Sequence, residues 1–382
     1  MSGLLPGRAT RVGTERYAQT AGAANAPGHY SDFLNLHLKL SSVGIGTFPG
    51  AATDAVDEAY AWIVRAAALA GINVFDTAAH YRYGRSPAAL GAGLRRAFAA
   101  GVTREQVFVV AKGGFLAFED APPDAAARWF DANIAARGLG SRADLVGRHC
   151  LSPALIEWQL DTVREAAGLA TIDAFLLDQP EVHVPAVGKE ATHRKIAEVF
   201  AVFERAVRDG KIGCYGISSF TALRAPTDAA LFQSLASLQG LAEQAAQRVH
   251  GGSAARHGLR VVQLPFNQAM TEGFTRFSQA TGQGNVASSI QAAHQLRIYV
   301  MASHALGKGR HAREASDAVR AALAGLPNDA QRALQFCRST PGIGTALVGV
   351  STPAHLDDAL AVARIPPLAK ADYLRLYERA AD

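Results

Sequence analysis

The chain has 382 residues, 49% of them apolar and 19% charged, with a formal charge of +5. That length buries a large core, and the composition excludes disordered and fibrous classes. The positive charge is scattered, with no run of Lys and Arg among aromatics, and no apolar stretch reaches the roughly 18 residues of a membrane span, so nucleic-acid and membrane partners are not expected.

The N-terminal segment carries Arg and lacks the apolar core of an export signal. Cys150, Cys214 and Cys337 are odd in number, widely separated and without metal-ligand spacing. Together these features predict a cytoplasmic protein without a disulfide framework and without a metal site.

Residues 1–38 are polar, rich in Gly and Ala and weakly periodic, and read as an N-terminal extension lying on a domain that occupies 39–382. In that domain, short apolar runs alternate with Ala- and Leu-rich helical stretches. The runs fall at 40–48, 73–78, 107–112, 173–178, 214–218, 261–267, 298–303 and 345–350. Near-continuous apolar runs are the signature of parallel strands covered on both faces. Eight of them separated by amphipathic helices predict an α/β fold of the (β/α)8 TIM-barrel type. A doubly wound open sheet gives a similar alternation, but no G-x-G-x-x-G follows the first strand. Two segments, 114–150 and 221–258, are too long for simple connections. They are expected at the barrel mouth, where long loops serve binding, and the second contains a helical stretch, LFQSLASLQGLAEQAAQ.

Two strand ends carry chemistry. GINVFDTAAHYRYGRS places Asp76 at the end of a buried strand and Tyr81 in the loop that follows, and VFVVAKGG places Lys112 at the end of another. Charged residues at the carboxyl ends of apolar strands mark the catalytic face of a barrel. Taken singly, each favours a structural reading, Asp76 as a helix cap and Lys112 as its ion-pair partner. The convergence of an Asp, a Tyr and a Lys favours catalysis.

In chain order, GINVFDTAAHY, VFVVAKGG, IDAFLLDQPE, GKIGCYGISSF, VVQLPFN and GTALVGVSTPAHLDDA resemble the aldo-keto reductase family, over roughly residues 38–365. The resemblance implies a barrel with NADPH extended across its mouth and hydride transfer to an aldehyde or ketone. Tyr81 is then the expected general acid, Lys112 the charge that lowers its pKa, and Asp76 the residue that orients Lys112. The family's fourth catalytic residue, a His at the end of the fourth strand, is replaced by Asp178. An ionised carboxylate there cannot donate to a substrate oxygen, whereas a protonated one can. His80, His183 and His304 are candidates to compensate, His80 being the best placed.

The resemblance also implies a cofactor site. Ser218, Ser219 and Gln263 would hold the nicotinamide carboxamide, with Gly46 and Thr47 approaching through backbone. Leu306, Gly307 and Lys308 would flank the pyrophosphate, and Gly349, Ser351 and Thr352 would face the adenosine phosphate. Ser303 stands where the family often has a stacking aromatic, and Ser351 where it commonly has a cation for the 2′-phosphate; NADPH is therefore expected with NADH as a competitor.

The leading expectation is an NAD(P)H-dependent oxidoreductase of aldo-keto reductase type, acting on a carbonyl or activated double bond of a small molecule. Two alternatives stay open. One is a redox-neutral lyase, isomerase or cyclase using Tyr81, Lys112, Asp76 and Asp178 beside a vestigial nicotinamide site. The other is a non-catalytic, cofactor-sensing or partner-binding subunit.

Overall fold

All eight apolar runs form parallel strands in the computed structural model, which describes residues 3–33, 36–118, 123–252, 255–281 and 285–378. They are β1 (Val43–Gly46), β2 (Val74–Asp76), β3 (Phe108–Gly113), β4 (Ile172–Asp178), β5 (Ile212–Ser218), β6 (Leu259–Pro265), β7 (Tyr299–Ser303) and β8 (Thr345–Gly349). Each strand pairs with the next in sequence, and β8 pairs with β1 through Gly349 and Gly46, which closes the barrel.

The pleat sorts side chains by parity. Val74, Val110, Ala174, Leu176, Cys214, Val261, Met301 and Leu347 share one buried cluster and fill the barrel interior. Neighbours of opposite parity, such as Phe75, Val109, Phe175 and Val262, belong to the larger cluster between strands and helices. Two residues beyond the last apolar interior position of their strands come Asp76, Lys112, Asp178 and Gln263. The same inward parity that packs the core therefore places these polar side chains in one layer at the mouth.

The helices form the outer shell. α1 (Asp54–Leu69) buries Tyr60, Ile63, Val64, Ala67 and Ala68 at helical spacing, and the Thr53 hydroxyl caps its N-terminus by accepting from the Val56 amide. α2 (Ser86–Ala99) and α3 (Pro153–Ala167) follow β2 and the long segment after β3, and α4 (Lys189–Arg208) follows β4. Among the described residues no helix is long and apolar enough to cross a membrane.

Three local features differ from the sequence reading. The run at 40–48 is divided: Leu38–Ser41 pairs antiparallel with Tyr30–Phe33, and only Val43–Gly46 enters the barrel. Asn73 fixes the break, accepting from the Ser41 amide at 2.8 Å and donating to the Lys39 carbonyl at 2.9 Å. Phe33 of this hairpin stacks on Tyr299 at 4.8 Å, and with Leu38 and Leu40 it joins the interior cluster opposite the mouth. In the segment 221–258, the helix begins at Leu235 rather than at Leu231, because the Ser234 hydroxyl caps it. A further two-stranded sheet, Phe277–Ala280 with Val286–Ser288, lies between the short helix Glu272–Thr275 and the helix Ser289–Gln295. It has no clear alternation in sequence.

Candidate active site

Asp76, Lys112 and Tyr81 meet at the ends of β2 and β3. The Lys112 ammonium donates to the two Asp76 carboxylate oxygens at 2.5 and 2.6 Å and to the Tyr81 hydroxyl at 3.1 Å. Lys112 is 1% exposed and Asp76 4%. Burial alone pulls the Lys112 pKa down, but Asp76, Tyr81 and Asp178 outweigh it and hold the ammonium charged. Burial pushes the Tyr81 phenol above its ordinary value; Lys112 works against that shift, while Asp76 and Asp178 add to it.

The loop that carries Tyr81 is strained and anchored. Arg82 and Tyr83 both take left-handed backbone, with φ of 51° and 58°. Such residues cost about 1 kcal/mol or more each. The buried Arg82 guanidinium offsets this by donating to the Ala51 carbonyl at 3.0 Å and to Asp57 at 2.6 Å. Arg85 adds ion pairs to Asp54 and Asp57, so the first turn of α1 holds the loop.

Asp178 lies in the same layer, buried, at the end of β4. Burial raises its pKa to about 6; Lys112 and a hydrogen bond from Ser218 oppose the shift, and Glu181 and Asp76 reinforce it. Its side chain therefore changes charge close to neutral pH. Of the three histidines, His80 packs edge-on against Tyr81 at 4.9 Å, and its buried Nδ1 has no hydrogen-bond partner. Burial, then Lys112 and Arg148, lower its pKa to about 3, so the ring is neutral. His183 is joined to His149 instead, and His304 packs on Phe220 at 5.1 Å.

The expected cofactor residues are brought together unevenly. Gln263 donates to Asp76 at 3.0 Å, and the Ser218 hydroxyl lies 3.5 Å from the Gln263 amide oxygen. Ser219 is turned aside: its hydroxyl donates to Glu181 at 2.7 Å. The Thr47 hydroxyl is directed to the Asp76 carbonyl at 3.1 Å, and Gly46 pairs with Asp76 in the β1–β2 register. After β7, Ser303 leads into a turn in which Gly307, Lys308 and Gly309 have φ of 53°, 58° and 88°. A Cβ on Gly307 would come 2.5 Å from the His311 ring and force it to shift, and Lys308 stands exposed beside Leu306. After Gly349, the Thr352 hydroxyl caps the helix Pro353–Ala363, and Ser351 lies 3.5 Å from His355. Asp358, on that helix, accepts from Asn328 at 2.7 Å and from Gln331 at 2.8 Å.

Two buried side chains of the site region are not among the residues the sequence singles out. Glu181 holds Ser219 and the Thr221 amide, and His149 reaches the end of β4 from the long segment after β3. Both act through contacts far apart in the chain, which local periodicity does not report.

The family model described as the aldo/keto reductase family matches residues 42–231. Curated protein sequences give no match. An aldo/keto reductase from Klebsiella pneumoniae, solved in complex with NADP and acetate, superposes with a TM-score of 0.56 at 17% identity, covering 90% of this chain and 92% of its own. The holo form of an aldo-keto reductase from Bacillus halodurans gives 0.58 at 15% identity, covering 92% and 96%. At such identities the likeness speaks for the barrel, while the family model speaks for descent, and together they place this chain in the aldo/keto reductase family.

Proposed function

We propose that the chain is an NAD(P)H-dependent oxidoreductase that reduces the carbonyl, or an activated double bond, of a small molecule. The observation that carries this reading is the buried triangle of Asp76, Lys112 and Tyr81. Burial keeps Tyr81 a neutral phenol with a proton to give. Lys112, 3.1 Å away, stabilises the phenolate left behind, and Asp76 fixes Lys112 in place. Asp178 acts in its protonated form, donating to the substrate oxygen where the family has a histidine. Above pH of about 6 it is ionised, and its charge then opposes negative charge developing on that oxygen.

The reduced nicotinamide, when bound, supplies the two electrons and the hydrogen delivered to substrate carbon. Ser218 and Gln263 fit its carboxamide, with Gly46 and Thr47 lining the approach. Exposed Lys308 in the tight turn after Leu306 and Gly307 fits the pyrophosphate. Ser351 and Thr352 offer the adenosine phosphate hydroxyls but no cation. NADPH is the cofactor proposed, with NADH as its competitor, and NADP in the Klebsiella relative supports the assignment.

The test is titration of the purified chain with NADPH and NADH by fluorescence quenching, followed by assays on aldehydes, ketones and enones. Saturable binding and cofactor consumption, lost in Tyr81→Phe, are expected. No binding at millimolar cofactor would defeat the proposal. The Asp178→His variant tests the role of the carboxyl: a gain of carbonyl reduction marks Asp178 as a vacated histidine site, and a loss marks it as a working group. A second reading rests on Gln263 and Ser219, whose polar groups are engaged by Asp76 and Glu181. It is a redox-neutral proton-transfer enzyme using the same Tyr81 and Lys112, and turnover without cofactor would support it.

A further inference from the structure

We infer that His149 is a positioning residue for Asp178, holding the backbone at the strand end from which the Asp178 carboxyl enters the mouth. His149 is fully buried, and its Nε2 lies 2.6 Å from the Asp178 carbonyl oxygen. A carbonyl only accepts, so the proton is on Nε2. Burial and the neighbouring His183 lower the His149 pKa to about 3, so the ring is neutral and its Nδ1 is an acceptor. The His183 Nε2, 2.9 Å away, must then donate to it. One tautomer of each ring satisfies both bonds.

These bonds close a circuit. Asp178 is followed by Gln179 in left-handed backbone, φ 49°, and then by the 3-10 turn Pro180–His183. His183 returns to His149, and His149 returns to Asp178. Any rotation of the Asp178–Gln179 peptide breaks the Nε2 bond and leaves two buried polar groups unpaired. On the other side His149 presses on β3: a Cβ on Gly114, whose φ is 133°, would lie 2.4 Å from Nε2. The Cys150 amide donates to the Gly114 carbonyl at 2.9 Å, so the segment after β3 folds back and wedges the imidazole between two strand ends.

The held carboxyl faces Lys112 from β3, Asp76 from β2, Tyr81 from the loop after β2, Ser218 from β5 and Glu181 from the adjoining turn. His80 and His183 complete the surroundings of the wedge, both with pKa values below the ordinary histidine range. Without the wedge, Asp178 is free to turn toward water and titrate as an ordinary carboxyl.

The inference extends the proposed role of Asp178, but its test reads Asp178 without cofactor or substrate and so fails independently of that role. Full-length His149→Gln, which keeps a donor and an acceptor, and His149→Leu, which keeps neither, are made with and without Asp178→Asn. Melting temperatures are recorded from about pH 5 to about pH 8. With His149 or Gln at this position, Asp178→Asn raises Tm by an amount that grows with pH. With Leu, that growth shrinks toward zero. An undiminished growth in His149→Leu overturns the proposal, since a ring that only fills space lowers Tm equally in both backgrounds. If His149→Leu does not fold, 15N spectra of the unaltered protein decide: a neutral Nε2–H ring is expected across this range, and an imidazolium or Nδ1–H ring overturns the proposal.

Discussion

The Lys112 ammonium is shared between the Asp76 carboxylate, at 2.5 and 2.6 Å, and the Tyr81 hydroxyl, at 3.1 Å. One buried cation thus links the stability of the mouth to its acidity. Replacing Lys112 with Met leaves the buried Asp76 side chain with its Gln263 hydrogen bond but without its cation, a loss of about 3–5 kcal/mol by analogy with other broken buried pairs. The same variant removes the charge proposed to stabilise the Tyr81 phenolate, which is expected to lower kcat by about 100-fold or more. Urea titrations and cofactor-consumption assays measure the two losses separately. Adding Asp76→Leu to Lys112→Met should recover much of the stability and none of the activity; recovery of activity would remove Lys112 from the mechanism.

Asp178 gives a pH dependence whose sign is fixed by its raised pKa. The folded state holds the proton up to pH of about 6, while an ordinary Asp releases it near about 4. The folded chain therefore binds more protons between these values, and Asp178 makes stability fall as pH rises through that window. Above it the ionised carboxyl costs on the order of 2–3 kcal/mol relative to a side chain that does not titrate. Asp178→Asn is expected to be more stable than the unaltered chain at pH 8 and equally stable near pH 4. Reduction of a carbonyl should in addition slow as pH rises through about 6, and this limb should vanish in Asp178→Asn. Denaturation midpoints and pH–rate profiles provide the two readouts.

The fold and half of the site were legible for the same reason. In a parallel barrel the strands are apolar on both faces, so Asp76 and Lys112 stand out as the first charges after VF and VFVVA, and their parity aims them inward. The N-terminal hairpin was not legible, because Tyr30–Phe33 and Leu38–Ser41 are too short for periodicity, and the residues they pack on, such as Tyr299 beneath Phe33, are distant in sequence. Ser219 shows the limit within the site itself. The motif places it beside Ser218, yet its orientation is set by Glu181, whose position depends on the left-handed turn at Gln179.

The anchoring of the Tyr81 loop yields a prediction about residues that touch no reacting atom. Arg82 binds Asp57 and the Ala51 and Thr53 carbonyls, and these contacts oppose two left-handed residues next to the phenol. Arg82→Ala is expected to lower kcat about 10–100-fold through displacement of Tyr81, with a smaller effect on KM. Asp57→Asn, which keeps an acceptor for Arg82 but loses the charge facing Arg85, should show a weaker version of the same defect. Steady-state kinetics that find KM changed and kcat intact would place the loop in substrate binding instead.

In the proposed cofactor arrangement the adenosine end of the cleft lies at Ser351, and a single substitution there is predicted to change cofactor preference. Ser351 lies just after β8, half-buried, with its hydroxyl 3.5 Å from His355 Nδ1, and the helix that follows is capped by Thr352. The helix N-terminus favours an anion, but neither hydroxyl supplies a cation for the 2′-phosphate that distinguishes NADPH from NADH. Ser351→Arg supplies a planar, permanently charged donor at that point. A charge-assisted hydrogen bond of this kind contributes about 1.5–3 kcal/mol, so NADPH should bind roughly 10–100-fold more tightly. NADH, which lacks the phosphate, should change by less than about 3-fold, within the range of an exposed charge. Fluorescence titrations of both cofactors against the variant decide the matter. Equal tightening of NADPH and NADH would show that Ser351 does not face the 2′ position, and no change in either would place the adenosine elsewhere along the mouth.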